Sequence, residues 1–233
     1  MVRSQNPNLE ILELAVERLG DLADQMVFLG GCATGLLITD EAAPPIRPTI
    51  DVDTIVQVTS LAEYHRLSDK LRERGFKEDT SDGAPVCRWV ADQIILDVMP
   101  TDSAVLGFGN RWYLPAIKNS ITTHLPSGKQ IQMVAAPYFL ITKLEAFDGR
   151  GAGDYVMSHD IEDIIAVLDG RPELIDEVKE SESDLRGALT ERLGYLLLES
   201  GFVDSIPGHM PGDAASQARV SLIQRRIEEI AAI

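Results

Sequence analysis

The chain has 233 residues, of which 45% are hydrophobic and 25% are charged, and its formal net charge is −16. This composition is typical of a globular protein with one large domain or two small ones. The acidic charge disfavours broad, sequence-independent binding to nucleic acid, and two cysteines support neither a disulfide framework nor a cysteine zinc site.

Neither membrane insertion nor secretion is expected from this sequence. No apolar run is long enough to span a bilayer, and the opening segment MVRSQNPNLEILEL lacks the apolar core of a signal peptide. We therefore expect a cytoplasmic protein without a membrane partner.

Helices and strands alternate in the first half of the chain, according to its hydrophobic periodicity and turn residues. Ser60 and Glu63 fit a capping box at the start of one helix. The expected elements in chain order are helix 8–24, strand 26–29, a sharp turn at Gly30-Gly31, helix 33–39, loop 41–48, strand 50–58, helix 60–74, a hairpin of 85–91 with 93–99, and a hairpin over 119–134.

From Pro137 onward the pattern is helical. The expected helices are 137–148, 159–169, 172–180, 184–200 and 214–232. The fold class is therefore α/β in the broad sense (α+β), with a mixed β-sheet domain over 1–135 and a helical domain over 136–233. We expect an active-site cleft that the helical domain closes.

Two aspartates one residue apart, Asp51 and Asp53, lie in the expected strand 50–58. Because residues i and i+2 of a strand point to the same face, the two carboxylates lie side by side and repel each other. A divalent cation held by oxygen ligands would compensate this repulsion, and Mg²⁺ usually keeps substrate phosphates among its ligands. The pair raises the hypothesis of a metal site for phosphoryl chemistry.

A third carboxylate, Asp97, lies inside the strongly apolar strand 93–99. An aspartate in such a run is costly unless it is paired or binds a metal. Asp97 can join Asp51 and Asp53 if its strand lies next to theirs. Two alternatives stay open at this point: Asp97 caps the following loop, or it forms a salt bridge with Arg88 across the hairpin.

Gly30-Gly31 follows a strand and precedes a helix. Glycines let the backbone approach a ligand closely, and the first turn of a helix offers free N–H groups and a positive dipole end to a phosphate. Alone, the diglycine could be only a tight turn. Followed by a strand with Asp51 and Asp53, it becomes a more specific indication of a phosphate site.

This order of motifs resembles the polymerase-beta-type nucleotidyltransferase superfamily. Downstream, the chain resembles its AbiEii/MenT group of nucleotidyltransferase toxins, which also has a helix with a lysine, an arginine near the end of that helix, and an Asp-Ile-x-Asp-Ile helix. The corresponding residues here are Lys143, Arg150 and the run that begins at Asp160. The resemblance covers about residues 26–170. Two departures are Cys32, where the family often has serine or threonine, and a longer gap between Gly31 and Asp51.

The resemblance implies a role for each of these residues. The implied ligands of Mg²⁺, or alternatively Mn²⁺, are Asp51, Asp53 and Asp97, and Asp97 would also act as general base. Backbone N–H groups would cradle the triphosphate of a nucleoside triphosphate (NTP) at Gly30, Gly31 and Cys32. Lys143 would neutralise phosphate charge, as would Arg47 or Arg150. Asp160 would orient Lys143 or contact the nucleotide.

Plainer interpretations exist for the residues downstream of the sheet. Lys143 could be a solvated side chain paired with Glu145 or Asp148, and Asp160 could be only a helix N-cap. The window 101–150 has more basic than acidic residues in an otherwise acidic chain, which indicates either chance clustering or a local anion-binding surface.

The resemblance implies a Mg²⁺-dependent enzyme that transfers a nucleoside monophosphate to a hydroxyl of a tRNA 3′ end or a protein side chain. Such an enzyme would be the toxin of a toxin-antitoxin or phage-defence pair, with a cognate antitoxin as partner. Two alternatives remain: the same chemistry on a small molecule of the aminoglycoside type, which suits the acidic charge, and a non-catalytic nucleotide-binding or regulatory module of the same fold.

Overall fold

The computed structural model describes residues 6–150 and 153–233. Residues 1–5 of the opening segment and residues 151–152 lie outside the described part. The chain divides into two compact units: residues up to Gly35 together with Arg47–Ala135, and Leu36–Ile46 together with Ala136–Ile233. Within the described residues, no helix is long and apolar enough to cross a membrane.

A mixed sheet, with seven strands in the described residues, forms the frame of the first unit. The strands are β1 (Met26–Leu29), β2 (Asp51–Val56), β3 (Lys77–Glu78), β4 (Arg88–Ala91), β5 (Ile94–Pro100), β6 (Ile121–His124) and β7 (Gln130–Met133). Their order across the sheet is β3-β4-β5-β2-β1-β7-β6. The pairs β2–β5 and β1–β7 are parallel, and the other neighbouring pairs are antiparallel.

The central strands supply the core of the first unit. All four residues of β1 are buried, as are Val52 of β2 and Leu96 and Val98 of β5. Strands that are covered on both faces consist of continuous apolar residues. Carboxylates within such strands therefore need a specific partner.

The α-helices of the described residues lie before, between and after the strands. They are α1 (Leu9–Leu19), α2 (Gly30–Leu37), α3 (Leu61–Glu73), α4 (Ser103–Leu106), α5 (Tyr113–Lys118), α6 (Ala136–Arg150), α7 (His159–Gly170), α8 (Leu174–Glu180), α9 (Ser183–Leu198), α10 (Ser200–Ser205), α11 (Ala214–Ala218) and α12 (Val220–Ala231). Gly20–Gln25 and Ile206–His209 are 3₁₀ helices. Beyond Ala135, the second unit is helical in its described residues.

A mixed sheet followed by a helical C-terminal region confirms the predicted fold class. The two predicted hairpins form as β4–β5 and β6–β7. The predicted N-cap is also present, since the Ser60 hydroxyl accepts a hydrogen bond from the Glu63 N–H at 3.3 Å. The Glu63 carboxylate accepts from the N–H of Thr59, one residue before the position that a capping box uses.

Several predicted boundaries are wrong. Helix 8–24 is α-helical only to Leu19, because Gly20 has φ +59° and the chain continues as a 3₁₀ helix. The helix expected over 33–39 begins at Gly30 instead, so the diglycine is its first turn rather than a separate turn before it. Helix 214–232 is two helices separated at Arg219, whose side chain reaches Asp169.

Candidate active site

The three predicted acids lie on neighbouring strands. β2 and β5 run parallel, with Asp53 directly opposite Asp97, and Asp51 lies two residues before Asp53 on the same strand. Residues opposite each other across two strands point to the same face, as do residues i and i+2. The tertiary pairing thus places the three carboxylates on one face of the sheet.

Arg88 joins two of these acids. In the β4–β5 hairpin it lies opposite Asp97, and its Nε and Nη2 donate to the Asp97 Oδ1 and Oδ2, both at 2.8 Å. Its Nη2 also donates to the Asp51 Oδ2 at 3.0 Å. The hydrogen bonds to Asp97 raise the pKa of Arg88 above its ordinary value. The salt bridge between Arg88 and Asp97, one of the alternatives predicted from the sequence, is therefore present. Arg88 also bonds to Asp51.

A second set of contacts orients Asp51 and the segment before it. The Thr49 hydroxyl donates to the Asp51 Oδ1 at 2.7 Å, and the Thr49 N–H donates to the Asn8 Oδ1 at 2.8 Å. Asn8 is 1% exposed, and its Nδ2 donates to the carbonyl oxygens of Gly31 and Arg47. Asn8 thus ties the diglycine to the chain that leads into the first aspartate.

Gly30 lies against the carboxylate of Asp53. Its φ is +72°, and a Cβ at this position would lie 1.8 Å from the Asp53 Oδ2. Leu29 is the register partner of Asp53 in the β1–β2 pair, so the chain turns from strand into helix beside the acid. Only glycine combines this backbone conformation with this close approach.

We expect the Gly30→Ala variant to lose about 2–5 kcal/mol of unfolding free energy, because alanine adds both a positive-φ strain and an overlap with Asp53. Gly83→Ala is the matched control, since Gly83 has φ +82° and a Cβ at that position would have nothing within 4 Å. It should lose only about 1–2 kcal/mol. Urea unfolding of both variants measures the difference, and equal losses would show that the contact with Asp53 carries no energy.

The remaining predicted residues of the first unit surround the diglycine. A Cβ on Gly31 would lie 3.1 Å from the Arg47 Nη2 and 3.2 Å from the Thr49 Cβ, so Arg47 reaches the start of α2. Cys32 is fully buried, and its Sγ donates to the Leu29 carbonyl oxygen at 3.1 Å. The Cys32 thiol therefore bonds to the protein's own backbone at the start of α2.

In the second unit, Lys143 and Asp160 form the centre of a buried ionic cluster. The Lys143 Nζ lies 3.1 Å from the Asp160 Oδ1 and 2.7 Å from the Asp163 Oδ2. Arg150 donates to both oxygens of Asp160, at 2.9 and 2.8 Å. Lys143, Asp160 and Asp163 are 7%, 3% and 2% exposed. Lys143 is therefore a buried residue that links α6 to α7, and not a solvated one.

The charge state of Asp160 follows from these contacts. Burial by itself raises the pKa of Asp160, but the hydrogen bonds from Arg150 and the charge of Lys143 outweigh it, and the net pKa lies below the ordinary value. The N-cap of α7 is Ser158, whose hydroxyl accepts from the Ile161 N–H. The interpretation of Asp160 as only an N-cap is therefore wrong. Asp148, one of the two partners predicted for Lys143 from the sequence, accepts a hydrogen bond from Arg192.

The predicted residues thus form two groups, one in each unit. Asp51, Asp53 and Asp97 share a sheet face beside Gly30 in the first unit, and Lys143, Arg150 and Asp160 are bonded together in the second. Sequence reasoning missed Asn8 and Thr49 as positioning residues. The local signal for Asn8 is weak, because its partners lie 23 and 39 residues away.

The donor chemistry of the acidic face suits a hard divalent cation, which prefers carboxylate oxygens. In residues 6–150 and 153–233, however, no group of three or more His, Cys, Asp or Glu side chains is arranged to hold a metal ion. Arg88 occupies both oxygens of Asp97 and one of Asp51 in this arrangement. That Asp51, Asp53 and Asp97 hold a cation therefore stays a prediction from the sequence.

Comparison with known proteins finds similarity only at the level of structure. No protein-family model matches the chain, and no curated protein matches it. The crystal structure of JHP933 from Helicobacter pylori is 13% identical, covers 100% of this chain and 94% of its own, and has a TM-score of 0.48. A second H. pylori crystal structure, named "putative nucleotidyltransferase", is 12% identical, covers 97% of this chain and 93% of its own, and has a TM-score of 0.47. Similarity this distant assigns neither family nor function.

Proposed function

We propose that this chain is a divalent-metal-dependent nucleotidyltransferase that moves a nucleoside monophosphate from an NTP to an acceptor hydroxyl. The observation that carries the proposal is the acidic face of the first unit. Three aspartates from two parallel strands lie on one face of the sheet there, and the glycine that begins α2 lies against one of them, Asp53. Acids for a cation and backbone N–H groups for a phosphate are thus side by side.

The start of α2 is the proposed phosphate cradle. The first N–H groups of a helix lack intrahelical partners, and the helix dipole favours an anion there. Gly30 and Gly31 place no side chain over this backbone, and both residues are buried, with Arg47 next to Gly31. Asn8 holds the cradle in place through the Gly31 carbonyl oxygen. These groups would bind the β- and γ-phosphates, and the α-phosphorus would then lie on the side of Asp51, Asp53 and Asp97.

The proposed reaction is an in-line displacement at the α-phosphorus. The oxygen of the acceptor hydroxyl forms a bond to this phosphorus, the bond to the bridging oxygen of the pyrophosphate breaks, and pyrophosphate leaves with the electron pair. Asp97 accepts the hydroxyl proton as general base. Most of the acceleration would come from positioning and from stabilisation of charge.

Asp51 and Asp53, with Asp97, are the proposed ligands of Mg²⁺ or Mn²⁺. When bound, the cation would neutralise the charge that develops on the phosphates. Thr49 holds Asp51 through its carboxylate, and Gly30 packs against Asp53, so both acids are oriented by the protein.

Arg150 is the proposed phosphate-neutralising residue of the second unit, and Lys143, whose ammonium group is bonded to Asp160 and Asp163, would act as a positioning residue. Both side chains bond to Asp160. The Arg150 side chain is 71% exposed and suits contact with a ligand, whereas that of Lys143 is 9% exposed. Asp160 would thus orient the two cations rather than contact the nucleotide.

We propose a macromolecular acceptor, a tRNA 3′ end or a protein side chain, and a cytoplasmic toxin that acts with a cognate antitoxin. The acceptor and the toxin role are supported by the resemblance of the sequence motifs to the AbiEii/MenT group, together with the Lys143–Asp160 pair. A second candidate is transfer to a cationic small molecule of the aminoglycoside type. The net charge of −16 favours it, because an acidic protein attracts cationic substrates and repels nucleic acid.

A labelling screen separates these candidates. Each of ATP, CTP, GTP and UTP, labelled at the α-phosphate, is incubated with the protein and with total RNA, total protein or a set of aminoglycosides. We expect transfer of label to one acceptor class in the presence of Mg²⁺ and none with a chelator. Absence of label from every acceptor, together with no Mg²⁺-dependent NTP binding by calorimetry, would instead support a non-catalytic module.

A further inference from the structure

Arg88 occupies the position of a cation among the acids. Its guanidinium bonds to oxygens from two strands: both oxygens of Asp97 on β5 and one oxygen of Asp51 on β2. The Arg88 side chain is 19% exposed, and those of Asp51 and Asp97 are 27% and 9% exposed. These contacts are therefore largely protected from solvent. Charge-assisted hydrogen bonds are strong in such an environment.

The hydrogen bonds from Arg88 occupy lone pairs of the Asp51 and Asp97 carboxylates that a divalent cation would also need. A carboxylate oxygen that accepts from a guanidinium offers less charge to a metal ion, and two cations at the same oxygens repel each other. Asp97 has a second conflict, because a carboxylate held at both oxygens is poorly placed to accept a proton from a hydroxyl. Asp97 can be a ligand or a general base only after Arg88 releases it.

We propose that Arg88 is a resident counter-cation that competes with a divalent cation for Asp51 and Asp97. This inference rests on the proposed function and concerns the regulation of the same site. In the metal-free protein, Arg88 offsets the repulsion among the acids and holds the strands β2, β4 and β5 together. Cation binding displaces its guanidinium, so that the acids are released only when the divalent cation is present.

The opposite role is a support that orients Asp97 from behind and strengthens metal binding, as outer residues commonly do. The geometry favours competition, because such a support bonds to one ligand at an oxygen that faces away from the metal. Arg88 instead bridges two proposed ligands and contacts both oxygens of one of them.

Calorimetric titration of the full chain with MgCl₂ and MnCl₂, without nucleotide, tests the proposal. We expect Arg88→Gln to bind the cation more tightly than the wild type, on the order of tenfold, because a competing charge is gone. The metal-free variant should also melt at a lower temperature, and saturating Mg²⁺ should restore more of its stability than it adds to the wild type. Unchanged or weaker cation affinity in Arg88→Gln would overturn the proposal.

Arg72→Gln is the matched control, since Arg72 also bonds to two carboxylates, those of Asp69 and Glu78, but with a side chain that is 48% exposed. Its cation affinity should equal that of the wild type. If Arg88→Gln does not fold, Arg88→Lys keeps the charge without the forked contact, and it should bind the cation more tightly than the wild type; equal or weaker binding again overturns the proposal.

The labelling screen keeps this inference separate from the proposed function. A wild-type protein that transfers nucleotide with Mg²⁺, together with variants whose cation affinity is not increased, would reject the role of Arg88 alone. A wild type and an Arg88→Gln variant that bind no divalent cation, with or without NTP, would reject both.

Discussion

We expect the Asp53→Asn variant to lose nearly all nucleotidyl transfer. Asparagine has the same shape as aspartate but lacks the anionic oxygen, and Asp53 is the acid that packs against Gly30 at the proposed phosphate cradle. The expected loss in kcat/KM is about 10³-fold or more, which corresponds to about 4 kcal/mol of transition-state stabilisation. The measurement is the initial rate of label transfer from the NTP found in the screen.

The control for this variant is Asp82→Asn, the same chemical change on an exposed turn of the same unit. It should transfer label at the wild-type rate. Thermal unfolding of both variants should be close to that of the wild type, because neither substitution changes side-chain volume. A folded Asp53→Asn protein with near wild-type activity would refute the assignment of the acidic face.

The largest expected effect on stability is that of Lys143→Met. Methionine has a similar length but no charge, so the substitution leaves Asp160 and Asp163 buried without the ammonium group that lies between them. Removal of one partner from a buried ionic cluster costs about 3–5 kcal/mol. Urea unfolding should show this loss, and Lys143→Met combined with Asp163→Asn should recover part of it.

Lys179→Met is the matched control, because the pair of Lys179 with Asp176 is exposed and such pairs contribute about 0–1 kcal/mol. The two lysines should also differ in pH dependence. The pKa of Asp160 lies below its ordinary value of 3.8, so its contribution is present above that value and lost as the pH falls below it. The difference in stability between the wild type and Lys143→Met should therefore shrink in strong acid. A difference that is independent of pH would show that Asp160 does not sense the lysine charge.

Local sequence was sufficient wherever an element depends on its own residues. The hairpin β4–β5 turns at Asp92, which has φ +51°, and the hairpin β6–β7 has Gly128 at φ +84°. The Ser60 cap also depends on a partner three residues away. In these cases the spacing of the apolar residues and the residue types in the turn or cap both indicate the structure that forms.

Two kinds of element were not predictable: very short helices, and elements whose bounds depend on distant contacts. The helices α4 and α5 have four and six residues, too few for a helical period to appear in the sequence. The break between α11 and α12 lies at Arg219, whose side chain bonds to Asp169 and Asp40, 50 and 179 residues away. The start of α2 at Gly30 likewise coincides with a close approach to Asp53 on another strand.

The sequence by itself determined the chemical inventory of the candidate site: paired acids on one strand, a third acid in an apolar strand, a diglycine, and a lysine and an arginine on one later helix. Only the tertiary structure decided how these charges are paired. The parallel register of β2 and β5 sets Asp53 opposite Asp97, and the hairpin brings Arg88 onto Asp97 and Asp51. Strand register depends on side-chain packing across the whole sheet, which is why one sequence without its fold cannot show which cation an acid binds.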